Sequence, residues 1–234
     1  PRPPPPTSSA ASDVYKRQVR LFILFAANPT AGMDWSDSAL EANYRQMVQL
    51  YNMPETILSW NGDAREIDTW MIARLKQRCQ QWRDAMDSYD LRGAVDASHF
   101  DLVKDLNWYR RRGGENPEVG KEILRVWTHM ISIATPHIAE DWWKMMGNDD
   151  LVAGRVFELP DQLTSAEKDA LDAETYLRAF LEQARKVAKV ATKHIGNAPN
   201  SATIHISRPW KKQLAISAID LSLIHISEPT RLEP

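Results

Sequence analysis

The stretch Ile67–Tyr89, IDTWMIARLKQRCQQWRDAMDSY, decides how the rest of the chain is read. Met71, Leu75, Cys79, Trp82, Met86 and Tyr89 recur at steps of three and four, the spacing of one helical stripe, while Arg74, Arg78 and Arg83 fall off or beside it. Upstream, Trp35-Ser36-Asp37-Ser38 precedes a helical run to about Tyr51, and Pro54 with the turn Asn61-Gly62-Asp63 then interrupts. Downstream, Leu91, Val95, Leu102, Leu106 and Tyr109 mark a third helix over about 91–112. Asn116-Pro117-Glu118 is a helix start, with a capping residue, proline at the first helical position and an acid in the first turn. That fourth helix runs through Ile123, Val126, Trp127 and Met130, and Pro136 breaks or kinks it before HIAEDWWKMMG, which ends at Gly147. The pattern predicts an antiparallel helical bundle with aromatic-rich core stripes.

Beyond Asn148 the pattern weakens, and ELPDQLTS reads as a linker. Helical spacing resumes from Ala166 to about His194, with Leu177, Phe180, Leu181, Ala184, Ala188 and Ala191 on one face. Arg185, Lys189 and Lys193 form a basic row on another face. Ala202–Ser207 alternates as a short strand, and Pro209 opens a last helix, so the fold class expected is mainly α: a bundle followed by a truncated small α/β C-terminal unit. The two ends differ from this middle. Residues 1–18, with five of the fourteen prolines, and residues 221–234 resemble translated sequencing-adapter or assembly scars. The ends carry +2 and −1 of the net charge of −2, which leaves a mildly acidic −3 for residues 19–220.

Composition excludes several function classes. No apolar run approaches the roughly 20 residues of a membrane span; the longest is LFILFAA at Leu21–Ala27. The single cysteine, Cys79, permits no internal disulfide and no zinc cluster, which fits a reducing cytosol. With a pI near 6.4 the chain lacks a global signature for nucleic acid, and DNA is not an expected partner. No catalytic or metal-binding constellation emerges. His137 and Glu140 have the spacing of half a metal site without a second pair of ligands, and His99 and Cys79 read as structural. No phosphate-cradling glycine loop or nucleophile elbow is present. Three basic patches remain: Arg110, Arg111 and Arg112 beside Trp108 and Tyr109; the row Arg185, Lys189, Lys193; and Arg208, Trp210, Lys211, Lys212. Arginines beside aromatic rings suit RNA, through phosphate contact and base stacking. Arginines in a last turn before Gly113 equally suit a plain helix end.

VRLFILFAANPTAGMDWSD at 19–37 resembles the stretch that follows the catalytic signature loop in leucyl-tRNA synthetases, and IDTWMIARLKQR at 67–78 the helix opening shared by class I synthetases for branched aliphatic amino acids. DLNWYRRRGG and TPHIAEDWW resemble later bundle helices of the leucyl family, and LDAETYLRAFLEQ and ATIHISRPWKKQL the appended C-terminal region of its archaeal and eukaryotic-cytosolic type. Alanine at 73 and ELP at 158–160 depart from the usual serine and tryptophan-proline. The resemblance implies a junction from a missing catalytic domain at 19–35, an anticodon-binding-type bundle at 36–147, a linker at 148–165 and a partial tRNA-binding domain at 166–220. It implies leucine tRNA and the catalytic domain of the same protein as partners, with Trp210, Lys211 and Lys212 as the first RNA contacts and Arg208 next. The full enzyme of that family uses ATP and Mg2+ to attach leucine to tRNA in the cytoplasm. Its HIGH and KMSKS signatures are expected upstream of Val19, so this chain alone is expected to be inactive and to hold no cofactor. HIGN at His194–Asn197 closes a helix instead of opening one and is a decoy. An isoleucyl or valyl fragment, or a helical protein-interaction module without RNA, are the alternatives.

Overall fold

The computed structural model describes residues 19–25, 32, 35, 37–197, 199, 201 and 203, and no strand occurs among them. Their helices, in chain order, are α1 (19–25), α2 (Asp37–Tyr51), α3 (Met53–Leu58), α4 (Glu66–Asp87), α5 (Leu91–Val95), α6 (Leu102–Arg111), α7 (Pro117–Ile131), α8 (Pro136–Met145) and α9 (Ser165–Ile195). A π-helical turn, Asp96–Asp101, joins α5 to α6, and a 3-10 turn spans Val152–Gly154. The chain divides into two compact units, 1–178 and 179–234.

In the first unit α4 packs against α5, α6 and α7, and α7 also meets α3 and α8. The reason lies in α7, whose sequence is apolar around most of its circumference. Val119, Ile123, Leu124, Val126, Trp127, Met130 and Ile131 are all buried, so the helix occupies the middle of the unit. Asn116 starts it: the side-chain oxygen accepts from the backbone N–H of Glu118 at 3.0 Å. Trp127 and Trp142, both fully buried, meet edge to face at 5.1 Å. The Trp127 indole N–H donates to the carbonyl of Ser98 at 2.6 Å. Met71, Leu75 and Cys79 of α4 complete this layer. At about 1.5–3 kcal/mol for each large apolar side chain buried, the α4–α7–α8 layer is the main source of stability. Burial also pushes the Cys79 thiol up to about 11, with Arg125 and Arg83 opposing only in part, so it is an inert core residue.

The interruption expected at Pro54 is present: α2 ends at Tyr51, and Pro54 sits in the first turn of the next helix, α3, where its missing N–H costs nothing. Two sequence expectations change. Tyr89 leaves the α4 stripe, because α4 ends at Asp87 and Tyr89 adopts a left-handed φ of 59°, leaving it 84% exposed. The expected third helix is re-phased by the π turn. The wider turn brings Ala97, Ser98 and His99 to the inside, and the carbonyls of Ser98 and His99 accept tertiary bonds from Trp127 and Gln46. The linker after α8 is anchored as well: Val152 is buried, and Phe157 stacks on His129 at 4.9 Å and meets Trp82 edge-on.

The second unit contains the end of α9. Lys186 pairs with Glu182 at 2.8 Å, and Gly196, at a φ of 81°, closes the helix by donating to the carbonyl of Thr192. The expected strand Ala202–Ser207 and the helix after Pro209 lie outside the described residues, apart from Thr203.

Candidate nucleic-acid interface

The stretch that raised the RNA question, Asp105–Asn116, forms the end of α6 and the turn into α7. Tyr109 is fully buried, and its hydroxyl donates to Asp68 of α4 at 2.6 Å. Asp68 also accepts from the Arg65 backbone N–H and from the Asn116 amide at 2.7 Å, so one carboxylate ties the start of α4, the end of α6 and the cap of α7. Burial, then the bond to Asp68, raises the Tyr109 phenol above its ordinary range and keeps it neutral. Gly114 is required here because a Cβ would lie 2.1 Å from the Tyr109 ring. Gly113, at a φ of 80°, closes α6 by donating to the carbonyl of Arg110.

One turn earlier, Asp105 is buried with its side chain 2% exposed, and it gathers three arginines. Arg78 donates through Nε at 2.8 Å, Arg74 through Nη2 at 3.0 Å, and Arg178 of α9 comes within 3.9 Å. Arg78 also reaches Asp101 at 2.7 Å. The guanidinium of Arg178 lies 4.9 Å from the Trp70 ring and 4.5 Å from the Trp108 ring, a cation held between two indoles. Burial lowers its pKa against the opposing pull of Asp105. The Nε atoms of Arg74 and Arg178 are buried without a hydrogen-bond partner among the described residues, so donors outnumber acceptors in this seam.

Of the sequence-derived contacts, Arg110, Arg111 and Arg112 are all exposed residues at the end of α6, with three different environments. Arg110 stands 3.9 Å from Glu115, and the guanidinium of Arg111 lies 5.9 Å from the Trp108 ring. Arg112 is engaged: it donates to Glu174 of α9 at 3.1 Å, beside the Trp108 indole, which donates to the same carboxylate at 2.8 Å. Trp108 is therefore a half-buried seam residue and not part of the apolar core. Arg65, which sequence reasoning did not single out, adds a fourth cation here, its guanidinium lying against Gly113. Arg185, Lys189 and Lys193 are exposed on α9. Arg208, Trp210, Lys211 and Lys212 lie outside the described residues.

The histidines have other uses. His99 is fully buried, with Ser98 Oγ at 2.8 Å from Nδ1 and Thr135 Oγ1 at 3.2 Å from Nε2, and burial lowers its pKa to about 3. Glu140 accepts the backbone N–H groups of Val152 and Ala153, which fixes the 3-10 turn, while His137 is exposed. Among the described residues no group of three His, Cys, Asp or Glu side chains gathers as for a metal, and no helix is long and apolar enough to cross a membrane.

The chain belongs to a class of tRNA-ligase modules: residues 68–215, more than half of its length, match the family of the anticodon-binding domain of tRNA ligase. Relatives within the class include leucine–tRNA ligases. That of Methanothrix thermoacetophila is 29% identical over 208 residues, 87% of this chain and 21% of the relative. That of Archaeoglobus fulgidus is 32% identical over 171 residues, 73% of this chain and 18% of the relative. The chain thus spans about a fifth of the length of these relatives. The solved LeuRS-tRNA-LeuAMS ternary complex of Agrobacterium radiobacter K84 overlaps 63% of this chain and 21% of that one, at 21% identity and a TM-score of 0.48.

Proposed function

We propose that this chain is the tRNA-docking portion of a cytoplasmic leucine–tRNA ligase, working beside a catalytic domain of the same protein that attaches leucine to tRNA at the expense of ATP. The observation that carries this reading is the family match over residues 68–215, joined to relatives that are leucine–tRNA ligases. Alone, the chain neither activates leucine nor binds ATP and Mg2+. The one sequence reminiscent of a nucleotide signature, His194-Ile195-Gly196-Asn197, closes α9 at its carbonyl end, where the dipole repels phosphate. The segment after α9, through Trp210, Lys211 and Lys212 and then Arg208, makes the principal tRNA contact. The end of α6, through Arg110 and Arg111, makes a secondary one, with the exposed row Arg185, Lys189 and Lys193 available to phosphate and Arg112 contributing least because Glu174 holds it.

The test is a binding titration of the 234-residue chain with leucine tRNA at two salt concentrations. The log of the affinity should fall with the log of salt by about 0.7–0.9 for each phosphate neutralised. Trp210→Ala/Lys211→Ala should weaken binding more than Arg110→Ala/Arg111→Ala. A folded chain with no affinity at low salt, or with affinity indifferent to salt, refutes the proposal and favours a helical protein-interaction module. Equal affinity for isoleucine and valine tRNA moves the assignment to a sister enzyme.

A further inference from the structure

We propose that the first half of α9 is a charge-held latch, released from the bundle by salt while the bundle itself stays folded. A helix that docks on a core ordinarily presents an apolar stripe. Here Glu167, Leu171, Glu174 and Arg178 share one face at steps of four, three and four, and three of the four are charged. The residues of α9 that are buried are Glu167, Leu171 and Glu174.

Each charge meets its opposite. Glu167 pairs with Lys76 of α4 at 2.8 Å. Burial pushes its pKa up, but the hydrogen bonds from Lys76 and Thr164 outweigh this and hold the carboxyl below its ordinary range. Glu174 takes both Arg112 and the Trp108 indole of α6, and Arg178 sits between Trp70 and Trp108 above Asp105. Leu171, with half-buried Ala170 beside it, is the only apolar anchor among these residues, so charge decides how firmly the segment is held. Release leaves Lys76 and Arg112 without carboxylate partners and uncovers the faces of Trp70 and Trp108. The latch therefore covers a basic, aromatic surface that the undocked state presents. This goes beyond the proposed tRNA docking and does not depend on it.

Hydrogen exchange on the 234-residue chain tests the latch, comparing amides of 166–178 with those of 119–131 in about 0.1 M and about 1 M salt, between which the Debye length falls from about 10 to about 3 Å. After correction for intrinsic rates, exchange in 166–178 should quicken roughly fivefold, the size expected of a weakened ion pair, and α7 should not follow. Equal responses of the two segments, or no response in 166–178, overturn the proposal. Glu174→Gln keeps an acceptor for the Trp108 indole and removes only the charge. It should raise exchange in 166–178 at low salt and flatten the salt dependence; a variant as salt-sensitive as the parent also overturns it.

Discussion

α4 carries two seams that differ in kind. Toward α7 it presents Met71, Leu75 and Cys79 to an apolar layer closed by Trp127 and Trp142. Toward the π turn, α6 and α9 it presents Arg74, Lys76 and Arg78 to Asp105, Glu167 and Asp101. Apolar burial is additive and indifferent to partner identity, so the first seam sets stability. Ion pairs return little net energy after desolvation but demand particular partners, so the second seam sets which element lies where and under what ionic conditions.

The largest effect should come from breaking the first seam. Trp127→Ala removes a fully buried indole, its edge-to-face partner contact and the donor to the Ser98 carbonyl. A loss of about 3–5 kcal/mol in urea unfolding is expected, a large share of what a domain of this size has. A loss below about 1 kcal/mol would mean that the aromatic layer is not the core. The second seam should give less. Asp105→Asn keeps the shape and deletes the charge that Arg74 and Arg78 share; because both arginines are partly solvated, about 2–3 kcal/mol is expected. A neutral outcome would show that the arginines find solvent as readily as they find Asp105.

The two seams were also unequally legible. Periodicity revealed the apolar one, because Met71, Leu75 and Cys79 repeat at helical steps and a core needs only the right class of side chain. It failed where backbone geometry departs from the regular helix: Tyr89 shares the spacing but sits in a left-handed turn, and the π turn at Asp96–Asp101 shifts the phase that brings His99 inside. The charged seam was hidden for a different reason. Arg74 and Arg78 stand four apart beside the stripe, and nothing local says that their carboxylates come from the π turn and α6, 23 to 31 positions later. Likewise the helical spacing of α9 put Leu177, Phe180, Leu181, Ala184, Ala188 and Ala191 on one face, whereas the residues of α9 that are buried lie earlier and are Glu167, Leu171 and Glu174. In Asp105–Asn116 both readings of the arginines had a physical basis. Only tertiary contacts separate Arg112, held by Glu174, from Arg110 and Arg111.

Acid sharpens the comparison in a direction opposite to intuition, since a histidine buried in the π turn, outside both seams, feels it first. His99 has a pKa of about 3 in the folded chain, against an ordinary 6.5, because burial among Ser98, Thr135 and the surrounding core excludes the charged form. A group depressed in this way contributes its full stability above pH 6.5. As pH falls from there toward 3, the unfolded chain takes up a proton that the folded chain refuses, and stability drains away. Between pH 6.5 and pH 5 the loss should be about 2 kcal/mol, and a His99→Gln variant, whatever its own stability, should not show it. The charged seam follows later. Glu167 lies below its ordinary 4.5, so its contribution is present above that value and is lost only as pH falls through its lower folded pKa. Unfolding free energies at pH 7 and pH 5, set beside hydrogen exchange of 166–178 at both, separate the two. Global stability should drop while the α9 segment, relative to the bundle, does not loosen. A segment that loosens by pH 5 would place a titrating group in the charged seam and reverse the order.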